Sequence, residues 1–173
     1  RTVLDGKNAK FRCFSAIQEA QYPSVYNQRK HNLDSILAIR NDVEKMTSLI
    51  MDSLPKNADY IRVHVGGDFV TSEYMLSWFN VARMNPNIKF YAYTKAIGWM
   101  QDNEDMRPKN FRMIASYGSK QDNLITKETI SANVIFHPSE TKLPIDHNEF
   151  YAINDNQGSF SLLLHGTQKS NSL

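Results

Sequence analysis

Gly66-Gly67-Asp68 sets two glycines and a carboxylate in a row. Two residues without side chains let the backbone turn sharply and approach a ligand closely. The carboxylate beside them suits an ammonium group or a ribose hydroxyl. The plainer reading is a tight turn in which Asp68 satisfies nearby backbone amides. His64 and His165 could bind a metal, donate to a ligand or relay protons, although a lone histidine is more often a hydrogen-bonded packing residue. Thr94-Lys95 offers a hydroxyl and an ammonium suited to a carboxylate or phosphate, and Ser116 a further hydroxyl. Tyr91 and Tyr93 either line a pocket or fill an interior. Cys13 is the single cysteine. Taken alone it reads as a buried, inert thiol, while its place at the mouth of a helix also suits a stabilised thiolate. One cysteine excludes an internal disulfide framework and fits a reducing compartment. The sequence contains no GxxxxGK[ST], HExxH or GxSxG motif and no spaced Cys–His zinc pattern.

These groups need elements to position them. Pro23 suits a first helical turn, and the stretch from Ser24 to Leu54 is free of Pro and Gly. Val43, Met46, Leu49, Ile50 and Leu54 recur at helical spacing, with Asn41 or Asp42 as N-cap and Pro55 as the stop. The period then changes. Strands are expected from Ile61 to Val65, Ile88 to Tyr93, Phe111 to Ala115, Asn133 to Phe136 and Ser159 to Leu164. Between them lie a helix capped by Thr71 or Ser72 and running to Met84, a short helix from Ile97 to about Asp105, and a weak one around Thr126 to Ser131. Strand starts 22 to 27 residues apart mean regular βα alternation, hence parallel pairing with right-handed crossovers.

Alternation along the strands divides their side chains into two sets. One is apolar: Ile61, Val63, Val65; Ile88, Phe90, Ala92; Phe111, Met113, Ala115; Phe160, Leu162, Leu164. It is expected under the helices. The other is mixed: Arg62, His64; Tyr91, Tyr93; Arg112, Ile114, Ser116; Ser161, Leu163, His165. A doubly wound sheet wants both sets apolar, whereas a wet interior wants this asymmetry. The expected fold is therefore α/β: a partial (β/α) barrel-like parallel sheet with helices outside, preceded by an N-terminal helical segment. A sheet with one solvated face is the rival. In parallel α/β folds the working residues gather at the carboxyl ends of the strands. Those ends carry Gly66-Gly67-Asp68, Thr94-Lys95, Ser116-Tyr117-Gly118, His137 and His165-Gly166-Thr167.

The 173 residues are read as one α/β domain over 1–168 with a polar tail over 169–173. Apolar residues make up 41% and charged residues 22%, which excludes wholesale disorder, collagen and coiled coil. A net charge of +2 gives no electrostatic case for a dedicated nucleic-acid binder, and no apolar run approaches a membrane span. The basic, polar start is no secretory signal, so a cytoplasmic location is expected. The first residue is Arg1 rather than methionine, which leaves room for upstream residues.

Ile61-Arg62-Val63-His64-Val65-Gly66-Gly67-Asp68-Phe69, Glu73-Tyr74, Trp78, Asn85-Pro86 and Phe90-Tyr91-Ala92-Tyr93-Thr94-Lys95 resemble the gene-product-eighty-eight family of phage and bacterial proteins. Arg12-Cys13-Phe14 with Tyr22, Arg29, Asn32 and Leu33 resembles its cysteine region, and Leu163-Leu164-His165-Gly166-Thr167-Gln168 its ending. Members carry a CPxxxxC pattern and a further cysteine. Cys13 matches the last of these, and the resemblance implies that the others precede Arg1. The layout is also distantly similar to radical S-adenosylmethionine enzymes, with Gly66-Gly67-Asp68 where those have GGE. These resemblances imply a phage-encoded iron–sulfur protein in the cytoplasm of the infected host. It would hold a 4Fe-4S cluster with Cys13 as a metal ligand, and S-adenosylmethionine or another small molecule near Gly66, Gly67, Asp68, His64, Thr94, Lys95, Ser116 and His165. The alternatives are a non-catalytic iron–sulfur protein and a metal-free, nucleic-acid-associated phage protein. Substrate, reaction and oligomeric state are left open.

Overall fold

A computed structural model describes residues 11–166. Thr167 and the expected tail over 169–173 lie outside the described residues. The chain divides into two compact units, one formed by 1–38 with 164–173 and the other by 39–163.

In the first unit, α1 (Phe14–Gln21) and α2 (Pro23–Ala38) are joined through a single arginine. Arg29 donates to the Ser15 carbonyl at 3.0 Å, the Ser15 hydroxyl at 2.7 Å and Gln18 Oε1 at 2.8 Å, and pairs with Glu19 at 3.2 Å. Arg29 thus ties the two helices together in place of facing water. Pro23 opens α2, where its missing N–H costs no helical bond. The Phe14 ring packs on His165 with centroids 5.1 Å apart.

The second unit is a five-stranded, all-parallel sheet that curls into a half-barrel. Its strands are β1 (Tyr60–Val63), β2 (Lys89–Thr94), β3 (Phe111–Ser116), β4 (Ser131–Ile135) and β5 (Phe160–Leu163), in the spatial order of the sequence. Helices α3 (Val43–Ser53), α4 (Ser72–Met84) and α5 (Ile97–Asp102) bury their apolar stripes on one face. Asp42 caps α3 by accepting from Lys45 N at 3.0 Å, and Thr71 caps α4 by accepting from Tyr74 N at 3.0 Å. The outer core joins Ile50, Met75, Phe79 and Ile97 to Val63, Phe90, Ala92, Phe111, Met113 and Ala115, as the apolar set requires.

The opposite, inner face departs from expectation in three ways. First, β5 presents Phe160, not Ser161, to it. The register pairs Ser116 with Ala132 and Ala132 with Phe160, which puts Phe160 beside Tyr91 and Ile114 in the inner core. The side chain of Ser161 is buried on the other face and donates to Thr141 Oγ1 at 3.0 Å. Second, a short helix, α6 (Phe150–Ile153), lies against this face, so the helices are not all outside. Buried Asp146 fixes its start by accepting from the backbone N–H groups of Phe150, Tyr151 and Ala152 at 2.9–3.2 Å. Third, Arg62, Tyr93 and Arg112 of the mixed set serve this covering segment. Arg62 forms an ion pair with Glu149, which also accepts from the Tyr93 hydroxyl at 3.0 Å. The Arg62 guanidinium lies 4.9 Å from the Tyr93 ring centroid, and Arg112 donates to the Gln157 carbonyl at 2.6 Å.

Two smaller expectations also shift. The 126–131 segment forms a turn in place of a weak helix, with Thr129 N bonded to the Thr126 carbonyl, after a single 3-10 turn at Asp122–Leu124. Its β-branched residues Thr126, Thr129 and Ile130 disfavour a helix. β1 stops at Val63, because His64 takes a left-handed backbone (φ 62°) and leaves Val65 exposed.

Candidate functional site

The carboxyl ends of β1, β2 and β3 are tied into one mouth. Asp68 supplies both oxygens. Oδ1 accepts from Phe69 N at 2.8 Å and from the Thr94 hydroxyl at 2.7 Å, and Oδ2 accepts from Lys95 N at 2.6 Å. Thr94 is 1% exposed, and its oxygen also accepts from Ala96 N at 3.0 Å. Lys95 extends the chain of contacts to β3. Its Nζ donates to the Ser116 carbonyl at 3.2 Å, the Ser116 hydroxyl at 3.0 Å and the Tyr117 carbonyl. Gly118 approaches the same ammonium, and a Cβ there would stand 3.5 Å from Nζ.

Asp68, Thr94, Lys95 and Ser116 are therefore brought together as the sequence proposes, but by one another. The Asp68 carboxylate satisfies amides and a hydroxyl, which is the plainer of its two readings. What stays open is the turn in front of it. Gly67 has φ +101°, a conformation suited to glycine, and a Cβ built there would meet nothing within 4 Å. Among the described residues, the backbone N–H and C=O groups of Gly66 and Gly67 have no hydrogen-bond partner. The mouth is a fixed frame with unclaimed backbone donors and acceptors at its lip.

His64 does not join the inner face. Its left-handed backbone turns the ring into an aromatic pocket formed by Phe69, Tyr74 and Trp78, with centroids 4.8, 5.5 and 6.4 Å away. Nε2 lies 3.1 Å from the Tyr74 hydroxyl, and Nδ1 is buried without a partner. Burial holds its pKa down at about 4, against the opposing pull of Asp68. The imidazole is thus neutral at physiological pH. Burial likewise raises the Tyr74 hydroxyl.

A depressed histidine pKa has a stability consequence. The unfolded chain protonates near pH 6.5 and the folded ring only near 4, so the contribution is complete above 6.5 and lost as pH falls toward 4. The expected loss is about 3 kcal/mol. Urea unfolding at pH 7, 5 and 4 checks it, with His64→Asn as the comparison, because Asn tolerates the left-handed backbone. A wild-type slope no steeper than that of the variant would contradict this account.

Cys13 and His165 belong to the other unit. The Cys13 thiol is exposed, not buried as the residue taken alone suggests. It occupies the N-cap position of α1 without a side-chain capping bond. His165 packs on Phe14 and precedes Gly166, whose φ of +85° brings it against Ile17 and Phe14. His137 is committed locally. Its Nδ1 lies 2.8 Å from Ser139 Oγ, and its backbone N–H donates to Glu140 at 2.8 Å. Among the described residues, no group of three or more His, Cys, Asp or Glu gathers to hold a metal, and no helix is long and apolar enough to cross a membrane.

Fold and mouth together define a parallel half-barrel α/β protein whose strand ends are locked side by side. The sequence pattern of the Gene product 88 family matches residues 6–171, and the chain belongs to that family of phage gene products. No curated protein and no solved structure matches it.

Proposed function

We propose that this phage-family protein binds a small polar molecule at the carboxyl ends of β1–β3, with S-adenosylmethionine as the ligand class suggested by the sequence resemblance of Gly66-Gly67-Asp68 to the GGE of radical enzymes. The observation that carries the reading is the Gly66-Gly67 turn, where Gly67 faces open space among the described residues while Asp68 fixes the base of the turn. A methionine-like ligand presents an ammonium and a carboxylate, and free backbone carbonyls and amides can meet both. Both oxygens of Asp68 are already engaged, so its role is to position the turn rather than to receive the ammonium. Equilibrium dialysis of S-adenosylmethionine, with methionine and adenosine as separate probes, tests the reading. Saturable binding of the whole molecule or of methionine supports it. Failure of all three sinks it.

A second reading adds a 4Fe-4S cluster, and one observation favours it: Cys13 offers an exposed thiol where α1 begins, with the helix dipole to stabilise a thiolate. The residues in hand do not complete a ligand set, because Cys13 is the single cysteine and no metal-binding group forms among the described residues. A cluster therefore needs thiolates from outside this sequence. When bound, it would supply electron transfer. Iron and sulfide analysis of the anaerobically reconstituted phage gene product is the test. Iron near cluster stoichiometry that Cys13→Ser removes is the expected result, and a colourless, iron-free protein contradicts it.

A further inference from the structure

Beside its polar frame, the mouth carries apolar side chains that neither core takes up. Val65 and Val70 flank the Gly66-Gly67-Asp68 turn, and Tyr117 follows β3; all three are exposed and none joins the outer or the inner core. Of the three, Tyr117 alone offers a flat aromatic face. Among the described residues its ring packs on no other ring and its hydroxyl has no hydrogen-bond partner.

The backbone beneath that ring is pinned. Tyr117 N donates to the Ala132 carbonyl at 3.1 Å, and the Tyr117 carbonyl accepts from Lys95 Nζ. Asp122 accepts from Gly118 N at 3.0 Å and from Ser119 N at 2.8 Å. Gly118, with φ +91°, turns the chain away directly after the ring. This mounting fixes where the ring stands without burying it, and a tyrosine has only two side-chain torsions to order when a ligand arrives. The sheet places the ring relative to the turn. Val63, Ala92 and Met113 share one rung, and Gly67 and Tyr117 each come four residues beyond it. Tyr117 continues the alternation of Met113 and Ala115, while Thr94, which holds Asp68, continues that of Phe90 and Ala92, so both belong to the same side of the sheet. One strand separates β1 from β3, which puts turn and ring on the order of 10 Å apart.

We infer that Tyr117 is the platform on which the base of a nucleoside stacks, with the rest of the molecule reaching back to the Gly66-Gly67 turn. This rests on the ligand reading of the mouth and narrows it. The ligand then carries a planar heterocycle at one end and an amino-acid group at the other, and the ring selects for the first. A base stacked on an aromatic side chain contributes about tenfold in affinity.

Equilibrium dialysis of S-adenosylmethionine, adenosine and methionine compares the wild type with Tyr117→Ala and Tyr117→Phe. Tyr117→Ala is expected to weaken S-adenosylmethionine and adenosine about tenfold and to leave methionine unchanged. Tyr117→Phe keeps the face and should bind all three as the wild type does. The unfolding midpoint should stay put in both, because the anchors beneath the ring are backbone groups. In the wild type, adenosine should move the Tyr117 ring-proton signals upfield, a readout that needs no variant. The platform is overturned, and the mouth left standing, if methionine binds and S-adenosylmethionine binds no tighter, or if Tyr117→Ala holds S-adenosylmethionine undiminished. Failure of all three probes overturns both.

Discussion

Asp68→Ala is expected to cost about 4 kcal/mol of stability, because the carboxylate accepts three bonds at once and is their shared end. Phe69 N, the Thr94 hydroxyl and Lys95 N all lose an acceptor, and Thr94 is too deeply buried to find water in exchange. The sum is less than three independent charged bonds would give, since the β2 end can relax once freed. Asp68→Asn keeps the shape and one acceptor oxygen and is expected to lose about half as much. Both tryptophans, Trp78 and Trp99, lie in the sheet-bearing unit, so their fluorescence during urea unfolding reports on that unit. A loss below about 1 kcal/mol for Asp68→Ala would mean that the strand ends do not depend on this clamp.

Phe160→Ala is expected to cost about 4 kcal/mol as well, through the cavity left by a fully buried ring. The position of that cavity is what matters. Phe160 meets Tyr93 at 6.2 Å and Tyr151 at 5.8 Å between ring centroids, on the face that α6 covers. Amide exchange in the Phe150–Ile153 segment should therefore quicken in the variant, while the α4 amides stay protected. Faster exchange in α4 with α6 unchanged would put Phe160 back under the outer helices and contradict the observed register.

The frame of the fold is legible because its signals are local and repeated. Asp42 and Thr71 announce helix starts, Pro55 and Asn85-Pro86 announce stops, and β1 to β3 alternate cleanly enough to give the outer core residue by residue. β5 is not legible in that way. Phe160 and Leu162 on one parity and Leu163 on the other are apolar, so the face each joins depends on pairing with β4, a non-local fact. The expectation of a wet interior fails for a related reason. Arg62, Tyr93 and Arg112 do mark a polar face, but their partners are Glu149 and the carbonyls of Tyr151, Asp155 and Gln157, some forty to ninety residues away. A four-residue helix such as α6 shows no period to read, and its N-terminal donors are met by Asp146 from four to six residues upstream.

At the site, glycine, aspartate, threonine and lysine at successive strand ends are visible in the sequence once the strands are placed. Which of them face a ligand and which face one another is not. His64 shows the limit most clearly, since a strand pattern aims it inward and one left-handed residue aims it at α4. In the sequence Arg112 is one more polar residue of the mixed set, and only the fold turns its guanidinium onto the carbonyls of Tyr151, Asp155 and Gln157.

The most direct test of the proposed mouth is an amide spectrum of the protein titrated with S-adenosylmethionine. The account predicts saturable shifts at Gly66 and Gly67, with smaller ones at Tyr117 and Gly118 and none around Phe150–Ile153. Saturable shifts that leave Gly66 and Gly67 unmoved, or no shifts at all, would contradict it.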